Sequence, residues 1–480
     1  MNWNFDNSYS KLSVNMFTKM NPEKVSAPKM LLFNRKLAVD LGLDIDSLNE
    51  NELANYLSGN EIIPSSEPLA QAYAGHQFGY FTMLGDGRAI LLGEHITPQN
   101  KRFDIQLKGS GRTPYSRRGD GRATLRAMLR EYLISEAMFG LKIPSSRSLA
   151  IVSSGEKIYR EEVQEGVILT RIASSHIRVG TFEYAKNFLA KNELQELADY
   201  TINRHYPELK STENPVLELL KSVMERQIDL IIDWMRVGFI HGVMNTDNMS
   251  IAGETFDYGP CTFMNAYNPK TVFSSIDVNG RYSYGNQPRI AHWNLACFAN
   301  SLTPIIHPVE SEAIKLADEV LDAFPKKYEE KWLAMMGNKL GFTNVLDAEK
   351  AFIFQLSNWM EDNRADYTNT FLVLQEDLPN ISAIYLQEDF KLLQTTWKNL
   401  ISQTTNTIDD AKLLMQANNP AFIPRNHLVE KALDEVCNNN DFTLFNQLLE
   451  AMNSPYIFNE KHADFQIGED DGDYRTFCGT

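Results

Sequence analysis

A loop just past the middle of the chain constrains its fold most. It reads HGVMNTDNMSIAGETFDYG, from His241 to Gly259, and follows a stretch at 216–237 whose apolar residues recur with helical spacing. Asn248 stands nine residues before Asp257, which begins an Asp-Tyr-Gly sequence. Amide and carboxylate oxygens are the ligands that hard divalent cations prefer. The loop therefore predicts a metal site carried by a helical unit, although Asp and Asn are also common turn formers.

The same loop matches part of the catalytic-loop pattern of protein kinases, H-R-D-x-x-x-x-N followed by D-F-G. His241 and Asn248 have the kinase separation, but Val243 occupies the place of the kinase base and cannot accept a proton. Asp247 is the nearest carboxylate in the loop. It can serve as proton acceptor, as a helix N-cap or as a hydrogen-bond partner of a metal ligand, and the sequence leaves these roles open.

Other parts of the kinase pattern precede the loop in the kinase order. Gly85 and Gly87 flank a tight turn, Lys108 ends a predicted strand, and Glu131 lies in a predicted helix at 124–139. A strand Lys paired with a helix Glu holds the Lys against nucleotide phosphates. One such pair is unspecific, because charged residues are usually solvated. The order of all these elements is what predicts a nucleotide site.

Arginine is concentrated beside glycine in the stretch KGSGRTPYSRRGDGRATLR, residues 108–126, which contains four glycines and five arginines. It is not a P-loop, because the chain contains no G-x-x-x-x-G-K-[ST]. Arg171 and Arg178 form a second group, seven residues apart. Glycines allow close approach to an anion and guanidinium groups bind phosphate in two places at once, so phosphate contact is favoured. The alternative is that these arginines pair with acids of the chain.

Composition excludes several classes of protein. With 62 acidic and 46 basic residues the net charge is −16, which argues against a nucleic-acid partner. We expect no membrane span and no secretory or transit peptide, because apolar runs are short and the first residues lack such patterns. None of the four cysteines forms a C-x-x-C pair, which suits a reducing compartment. We therefore expect a cytoplasmic enzyme; the sequence leaves the oligomeric state open.

The order of predicted elements indicates an α+β protein with the two lobes of a kinase. We predict an N-terminal extension at 1–65 and a β-rich N-lobe with the nucleotide-binding blocks at 66–184. A helical C-lobe carrying the loop at 185–340 and a mostly helical C-terminal region at 341–480 follow. The last region ends in a polar tail containing Cys478, which is either an incidental exposed thiol or a redox-active one.

Long stretches of the chain resemble the selenoprotein O family. These are AQAYAGHQFGYFTMLGDGRA (70–89), DIQLKGSGRTPYSRRGDGRATLRAMLREYL (104–133), TRIASSHIRVGTFE (170–183), HGVMNTDN (241–248), DYGP (257–260) and GRYSYGNQP (280–288). The resemblance implies a protein-kinase-like two-lobed fold with terminal extensions. It implies a protein nucleotidyltransferase that transfers AMP, or UMP with Mn²⁺, to Ser, Thr or Tyr hydroxyls of protein substrates. The nucleotide, ATP or UTP, would bind reversed relative to kinases, with Mg²⁺ or Mn²⁺.

The resemblance also implies roles for particular residues. Nucleotide-binding positions would be Gly85, Gly87, Arg88, Lys108, Asp120, Gly121, Arg171, Arg178 and Asp257. Glu131 would be the partner of the lysine, Asn248 and Asp257 the metal ligands and Asp247 the proton acceptor. Family members end with selenocysteine or cysteine near the C-terminus, which favours a redox role for Cys478; Cys261 is a candidate disulfide partner that no motif identifies.

Two other functions compete with nucleotidyl transfer. One is phosphoryl transfer from the γ-phosphate, against which Val243 argues. The other is a catalytically weak pseudokinase that binds ATP as a scaffold or switch, which the missing base motivates.

Overall fold

An antiparallel sheet dominates the N-terminal half of the chain. The computed structural model describes residues 2–45, 49–160, 162–375, 382–404, 407–472 and 474–476. The strands are β1 (Phe17–Lys19), β2 (Lys29–Phe33), β3 (Leu69–Gln71), β4 (Ala74–Gln77), β5 (Tyr80–Met83), β6 (Ala89–Ile96), β7 (Arg102–Lys108), β8 (Ala123–Thr124), β9 (Arg147–Tyr159), β10 (Val163–Ala173), β11 (Phe239–Ile240) and β12 (Thr262–Phe263). Eight strands form one sheet in the order β1-β3-β6-β7-β10-β9-β2, with β8 paired to β10. β4 pairs with β5, and β11 with β12, in separate two-stranded sheets.

The register of the central strands puts the predicted site residues on one face. Arg171 of β10 lies opposite Gln106 of β7, and Leu169 lies opposite Lys108. Side chains of a strand alternate between faces, so Gln106, Lys108 and Arg171 point to the same side. The opposite side is apolar: Ile105 and its neighbours pack in a core with residues of the first helix. The sheet thus has one polar face and one apolar face, and the candidate site lies on the polar face.

Helices make up most of the rest of the described chain. They are α1 (Arg35–Asp40), α2 (Glu50–Ser58), α3 (Leu125–Gly140), α4 (Val179–Phe188), α5 (Lys191–His205), α6 (Pro215–Val237), α7 (Gln287–Ile306), α8 (Glu310–Leu321), α9 (Phe324–Lys339), α10 (Asp347–Asp362), α11 (Tyr367–Leu374), α12 (Glu388–Ser402), α13 (Ile408–Asn418), α14 (Asn426–Asn439) and α15 (Thr443–Met452). The helices predicted at 124–139 and 216–237 are confirmed to within one residue at each end. None of the described helices combines the length and the apolar character that crossing a membrane requires.

Helix α6 leads directly into the predicted catalytic loop. The Asn214 side chain accepts a hydrogen bond from the Leu217 amide, and Pro215 occupies the first helical position, where its missing N–H costs nothing. The helix ends at Gly238, whose φ of 73° is the left-handed conformation that glycine adopts without strain. Leu220 and other apolar residues of α6 join the same core as Leu133 of α3. The loop is therefore anchored to both halves of the molecule.

The architecture is α+β, as predicted, and the C-terminal part is mostly helical. Strands β1 and β2, from the first 65 residues, form the two edges of the large sheet. At the other end of the chain, α14 and α15 return to α3, where the rings of Tyr132 and Phe445 lie 6.4 Å apart. The domain boundaries at 65, 184 and 340 stay predictions.

Candidate active site

A buried cluster of charges joins the large sheet, helix α3 and the predicted catalytic loop. Lys108 Nζ donates to Glu131 Oε2 at 2.6 Å and to Asp257 Oδ1 at 2.8 Å. Arg171 Nη1 donates to the same Asp257 oxygen at 2.7 Å and to Glu131 Oε1 at 3.4 Å. Lys108 from the sheet, Glu131 from α3 and Asp257 from the loop therefore meet. The structure thus brings together the strand lysine, the helix glutamate and the acid of the Asp-Tyr-Gly sequence.

Asp257 is held ionised by the cations around it. Burial opposes its charge, but Arg171, Lys108 and Arg178 outweigh that effect and hold its pKa well below the usual value. Its backbone has a φ of +64°, which is uncommon for a residue other than glycine. Such conformations occur where the surroundings hold the residue in place, often at functional sites. Asp257 is thus a fixed anion at the edge of the cluster, with 23% of its side chain exposed.

Arg178 adds a third cation, at the start of α4. Its Nη1 donates to the Asp247 carbonyl oxygen at 3.1 Å and lies 3.9 Å from Asp257 Oδ2. The guanidinium stacks 4.1 Å from the ring centre of Tyr73 and 4.8 Å from that of Phe256. Its Nη2 is buried and has no hydrogen-bond partner among the described residues. A buried guanidinium with an unused donor is suited to an anionic ligand.

The predicted catalytic loop is closed at its base by a short strand pair. Phe239 of β11 lies opposite Phe263 of β12, so the pair brackets the loop between them. The Asn248 amide nitrogen donates to the Val243 carbonyl at 3.0 Å, which turns the amide oxygen away from that carbonyl. Val243 itself is buried at 7% exposure. Val243, at the position of the kinase base, therefore has a buried side chain, and its carbonyl orients the Asn248 amide.

Asp247 is buried beside this amide. Its side chain is 8% exposed, and its Oδ1 has no hydrogen-bond partner among the described residues. Burial raises its pKa to about 6, against the opposing effect of Arg178. Gly75 covers it closely: a Cβ on Gly75 would lie 3.0 Å from Asp247 Oδ1. Asp247 is therefore an ionisable group with an unused oxygen and a pKa close to neutrality.

Strand β4 forms the cover over the loop. The His76 amide donates to Thr246 Oγ1 at 2.7 Å, and the Phe78 amide donates to Asn245 Oδ1 at 3.1 Å. Asn245 Oδ1 also accepts from the Tyr282 hydroxyl at 2.6 Å. These bonds link the N-terminal lobe to the loop next to Asp247.

The donor set of the loop fits a hard divalent cation. The Asn248 amide oxygen, the Asp257 carboxylate and the unpartnered oxygen of Asp247 are all oxygen donors, as Mg²⁺ and Mn²⁺ prefer. Asp257 Oδ1 is shared by Lys108 and Arg171, whereas Oδ2 approaches only Arg178, at 3.9 Å. The residues present are thus compatible with the predicted metal.

Gly85 and Gly87 lie under the Gly/Arg block. Gly85 has a φ of +125°, and a Cβ there would meet the Tyr115 ring at 2.4 Å; one on Gly87 would meet the Tyr115 carbonyl oxygen at 3.0 Å. The Arg88 carbonyl accepts from the Gly109 amide at 2.7 Å. Tyr115 of the chain itself, and not a ligand, occupies the space that a side chain at either glycine would need. Nucleotide contact by these three residues stays a prediction.

The Gly/Arg block divides into internally paired and exposed arginines. Arg126 binds Asp434 of α14 at 2.6 Å, and Arg122 binds Glu156 at 3.1 Å, as the ion-pair alternative expects. The arginines at 112, 117 and 118 are exposed. The block is folded on itself, since the Gly111 amide donates to the Gly121 carbonyl at 3.1 Å.

Asp120, one of the predicted nucleotide-binding residues, binds Arg160 through both of its carboxylate oxygens at 2.8 Å. This contact, more than any other, lowers its pKa to about 2. Its partner in the structure is thus an arginine of the chain, and nucleotide contact by Asp120 and Gly121 stays a prediction.

Sequence reasoning missed three residues that shape the cluster. Gln106 Oε1 accepts from Arg171 Nη2 at 2.6 Å, and its amide nitrogen lies 3.4 Å from Asp86 Oδ2. Asp86 is fully buried, which raises its pKa to about 6. Tyr73 supplies the ring under Arg178. In the sequence, the alternation of side chains along the strand that ends in Lys108 places Gln106 on the same face as Lys108, which is a signal that could have identified Gln106.

The predicted redox cysteine, Cys478, lies outside the described residues. Cys261 is a free thiol, and burial raises its pKa to about 12. Thr476 Oγ1 donates to the carbonyl of Pro260, the residue before Cys261, at 2.8 Å. A disulfide between the two cysteines stays a prediction.

Comparison with known proteins identifies the family of the chain. Residues 1–453 match the family model described as "Protein adenylyltransferase SelO". The chain belongs to the SelO family. Its relatives in this family include the protein nucleotidyltransferase YdiU of Brevibacillus brevis, 52% identical over 100% of this chain and 98% of the relative. The protein of the same name from Pelagibacter ubique is 53% identical over 100% of this chain and 99% of the relative.

Among solved structures, this SelO-family chain is similar to ROP2 from Toxoplasma gondii, described as a virulence factor with a protein-kinase fold and no enzymatic activity. The two are 11% identical, with 70% of this chain and 88% of that chain covered and a TM-score of 0.25. At that TM-score the likeness carries no argument about this chain.

Proposed function

We propose that this protein transfers a nucleoside monophosphate, AMP or UMP, from ATP or UTP to Ser, Thr or Tyr hydroxyls of protein substrates, releasing pyrophosphate. The observation that carries the proposal is the buried group of three cations, Lys108, Arg171 and Arg178, around Asp257, beside a loop whose kinase base is replaced by Val243. Membership of the SelO family and the names of the relatives support it.

The cations are suited to bind the triphosphate. Arg178 has a buried Nη2 without a partner among the described residues, and Lys108 and Arg171 share a single oxygen of Asp257. Guanidinium and ammonium groups in a site shielded from water stabilise charge that develops on phosphoryl oxygens. The exposed arginines at 112, 117 and 118 are available to neutralise departing pyrophosphate.

A divalent cation would be held by Asn248 and Asp257. When bound, Mg²⁺ or Mn²⁺ supplies charge neutralisation of the triphosphate. The chain contributes the orientation of these ligands: the Val243 carbonyl fixes the Asn248 amide, and Lys108 and Arg171 fix the Asp257 carboxylate.

Asp247 is the proposed proton acceptor. With a pKa near 6 it is mostly ionised at neutral pH, and its Oδ1 is free to accept the proton of an incoming hydroxyl. A base with a pKa close to the working pH is the most effective, because it is both available and strong enough. Asp247 thus replaces the carboxylate that position 243 lacks.

The test is which phosphate of ATP labels protein. ATP labelled at the α-phosphate should label protein, and ATP labelled at the γ-phosphate should not. Asp257→Ala should abolish labelling, whereas Glu329→Gln, a change at an exposed residue of α9, should leave it unchanged. Labelling from the γ position alone would show phosphoryl transfer instead. Parallel assays with α-labelled UTP and Mn²⁺ compare the two nucleotides.

A nucleotide-binding scaffold without activity is the second candidate, favoured by one observation. Asp247 is only 8% exposed and lies under Gly75, so a hydroxyl reaches it only if β4 moves. A scaffold would bind ATP, shown by thermal shift, and label nothing from the α position. Asp257→Ala would then change nucleotide binding, but it could not lower nucleotidyl transfer, because the wild-type protein would have none.

A further inference from the structure

Three potential metal ligands converge beside the proposed active site and have no part in it. They are His76 of β4, Glu183 of α4 and Cys297 of α7. One ligand atom from each, an imidazole nitrogen, a carboxylate oxygen and the thiol sulfur, lies within 4.8 Å of the other two. Among the described residues, these three side chains form the group whose potential ligand atoms come this close together.

Glu183 provides the independent sign of a missing ligand. Its side chain is 3% exposed, and one carboxylate oxygen contacts His76 Nδ1. The other oxygen, Oε2, is buried and has no hydrogen-bond partner among the described residues. Leaving a buried carboxylate oxygen unpaired costs free energy, and an ion that binds there removes the cost.

We propose that His76, Glu183 and Cys297 form a binding site for a borderline divalent cation of the Zn²⁺ class. Imidazole, carboxylate and thiolate are the ligands such a cation takes, and thiolate selects against Mg²⁺ and Mn²⁺. The ionised carboxylate and thiolate together carry two negative charges, which balance the cation. The site therefore differs in chemistry from the all-oxygen donors Asn248 and Asp257.

The geometry requires only a small adjustment. Tetrahedral zinc bonds of about 2.0–2.3 Å place neighbouring ligand atoms about 3.3–3.6 Å apart. Ligand atoms now separated by as much as 4.8 Å have to close by roughly 1 Å, whereas the hydrogen-bonded atoms of His76 and Glu183 have to move apart. On binding, the thiol of Cys297 gives its proton to solvent and its sulfur bonds to the cation. The hydrogen bond between His76 and Glu183 breaks, its proton is exchanged through solvent to the ring nitrogen of His76 that does not bind the ion, and one bond from each residue to the ion replaces it.

Access and surroundings also suit an ion. The His76 side chain is 26% exposed, which leaves a path for the cation and room for a water as fourth ligand. The rings of Phe81 and Trp293 each lie 5.3 Å from the His76 ring and form a partly apolar wall. Arg281, stacked 4.7 Å from the Trp293 ring, is the nearby positive charge that the two anionic ligands have to offset.

A cation here would tie three elements together at the cover of the active site. The His76 amide bonds to Thr246, and Gly75 packs on Asp247, so β4 borders the catalytic loop. Linking β4 to α4 and α7 would hold that cover in place. The site is thus positioned to stabilise the closed arrangement without touching a substrate.

The experiment uses the full chain, freed of metal with a chelator and titrated with Co²⁺ as a spectroscopic substitute for zinc. We expect one equivalent to produce a thiolate-to-cobalt charge-transfer band in the near ultraviolet. The band should be lost in Cys297→Ser and retained in Cys437→Ser, which replaces an exposed cysteine of α14. Asp257→Asn should also retain it, which separates this site from the proposed nucleotide metal.

Zinc affinity, measured by competition with a chromophoric chelator, should fall at least about 10–100-fold in His76→Gln and in Cys297→Ser, since loss of even an indirect partner of a metal costs that much. X-ray absorption at the zinc edge of the wild-type protein should show one sulfur together with nitrogen or oxygen neighbours, and this result does not depend on any variant folding. Absence of a thiolate band in the wild type, persistence of the band in Cys297→Ser, or a zinc spectrum without sulfur would overturn the proposal.

Discussion

Replacing Asp247 with Asn should make the protein more stable while removing the proposed transferase activity. The carboxylate is buried, and burial raises its pKa from the ordinary value of 3.8 to about 6. At neutral pH the folded protein therefore keeps a charge in an environment that disfavours it. Asn has nearly the same shape and carries no charge, so it avoids this cost.

The size and sign of the effect follow from the linkage between protonation and folding. A group whose pKa is higher in the folded state contributes stability below its unfolded pKa, and this contribution is lost as the pH rises through the folded pKa. The difference between 3.8 and about 6, at about 1.4 kcal/mol per pH unit, corresponds to about 3 kcal/mol. The variant should thus gain up to about 3 kcal/mol over wild type at about pH 8, and about half as much at about pH 5, which lies between the two pKa values.

Urea unfolding of both proteins at the two pH values measures this difference. Asp120→Asn is the matched control, because Arg160 lowers the pKa of Asp120 to about 2. A lowered folded pKa contributes stability above the unfolded value, so this control should lose stability at both pH values. Nucleotidyl transfer by Asp247→Asn, measured with α-labelled ATP, should fall by about 10²–10⁴, the usual contribution of a general base.

The reasoning fails if Asp247→Asn is less stable than wild type at about pH 8. It also fails if its advantage does not grow between about pH 5 and about pH 8. Either result would mean that an interaction of the ionised carboxylate, rather than its burial, controls the titration.

Three further predictions concern buried groups elsewhere. Lys339 is 1% exposed, and burial holds its pKa well below the usual value. Lys339→Met should therefore raise the melting temperature at neutral pH, and this increase should shrink toward about pH 10. An increase in melting temperature that is the same at every pH would contradict the lowered pKa of Lys339. Arg425→Met leaves Asp366, now 2.6 Å from Arg425, without its cation and should cost about 3–5 kcal/mol in urea unfolding. Gly180→Ala places a Cβ 2.0 Å from the Ala74 carbonyl oxygen. It should lower the free energy of unfolding by about 1–3 kcal/mol and slow the labelling of protein from α-labelled ATP. Wild-type stability and activity in this variant would show that β4 is not packed there.

The sequence predicted several helices and strands, and the pairing of Lys108 with Glu131, because these predictions depend on local patterns and on the order of motifs. Helical periodicity marked the helix at 216–237, and alternation marked the strand that ends in Lys108. A strand lysine, Lys108, followed by a helix glutamate, Glu131, matched the order of motifs in kinases, and the structure brings the two within 2.6 Å. The structure joins Asp257 to them as well, and the kinase order of motifs had suggested that meeting.

The partners of individual charged groups were not predictable in this way. Arg126 belongs by sequence to the Gly/Arg block, but it binds Asp434, more than three hundred positions away. Gly85 belongs to a tight turn that the sequence predicts, but the packing of the Tyr115 ring against it was not predictable. Such contacts are set by how distant elements pack, and no local periodicity records them.

By itself the sequence determined the order of helices and strands, the family and the set of residues able to carry the chemistry, since all of these depend on side-chain type and spacing. Only the tertiary structure decided which of those residues are buried and which meet. It placed Asp247 beneath Gly75, which raises the pKa of the carboxyl, and it brought His76, Glu183 and Cys297 together from three elements. The physical reason is that burial and electrostatic pairing depend on distances through space, and folding makes these short between residues that the chain keeps far apart.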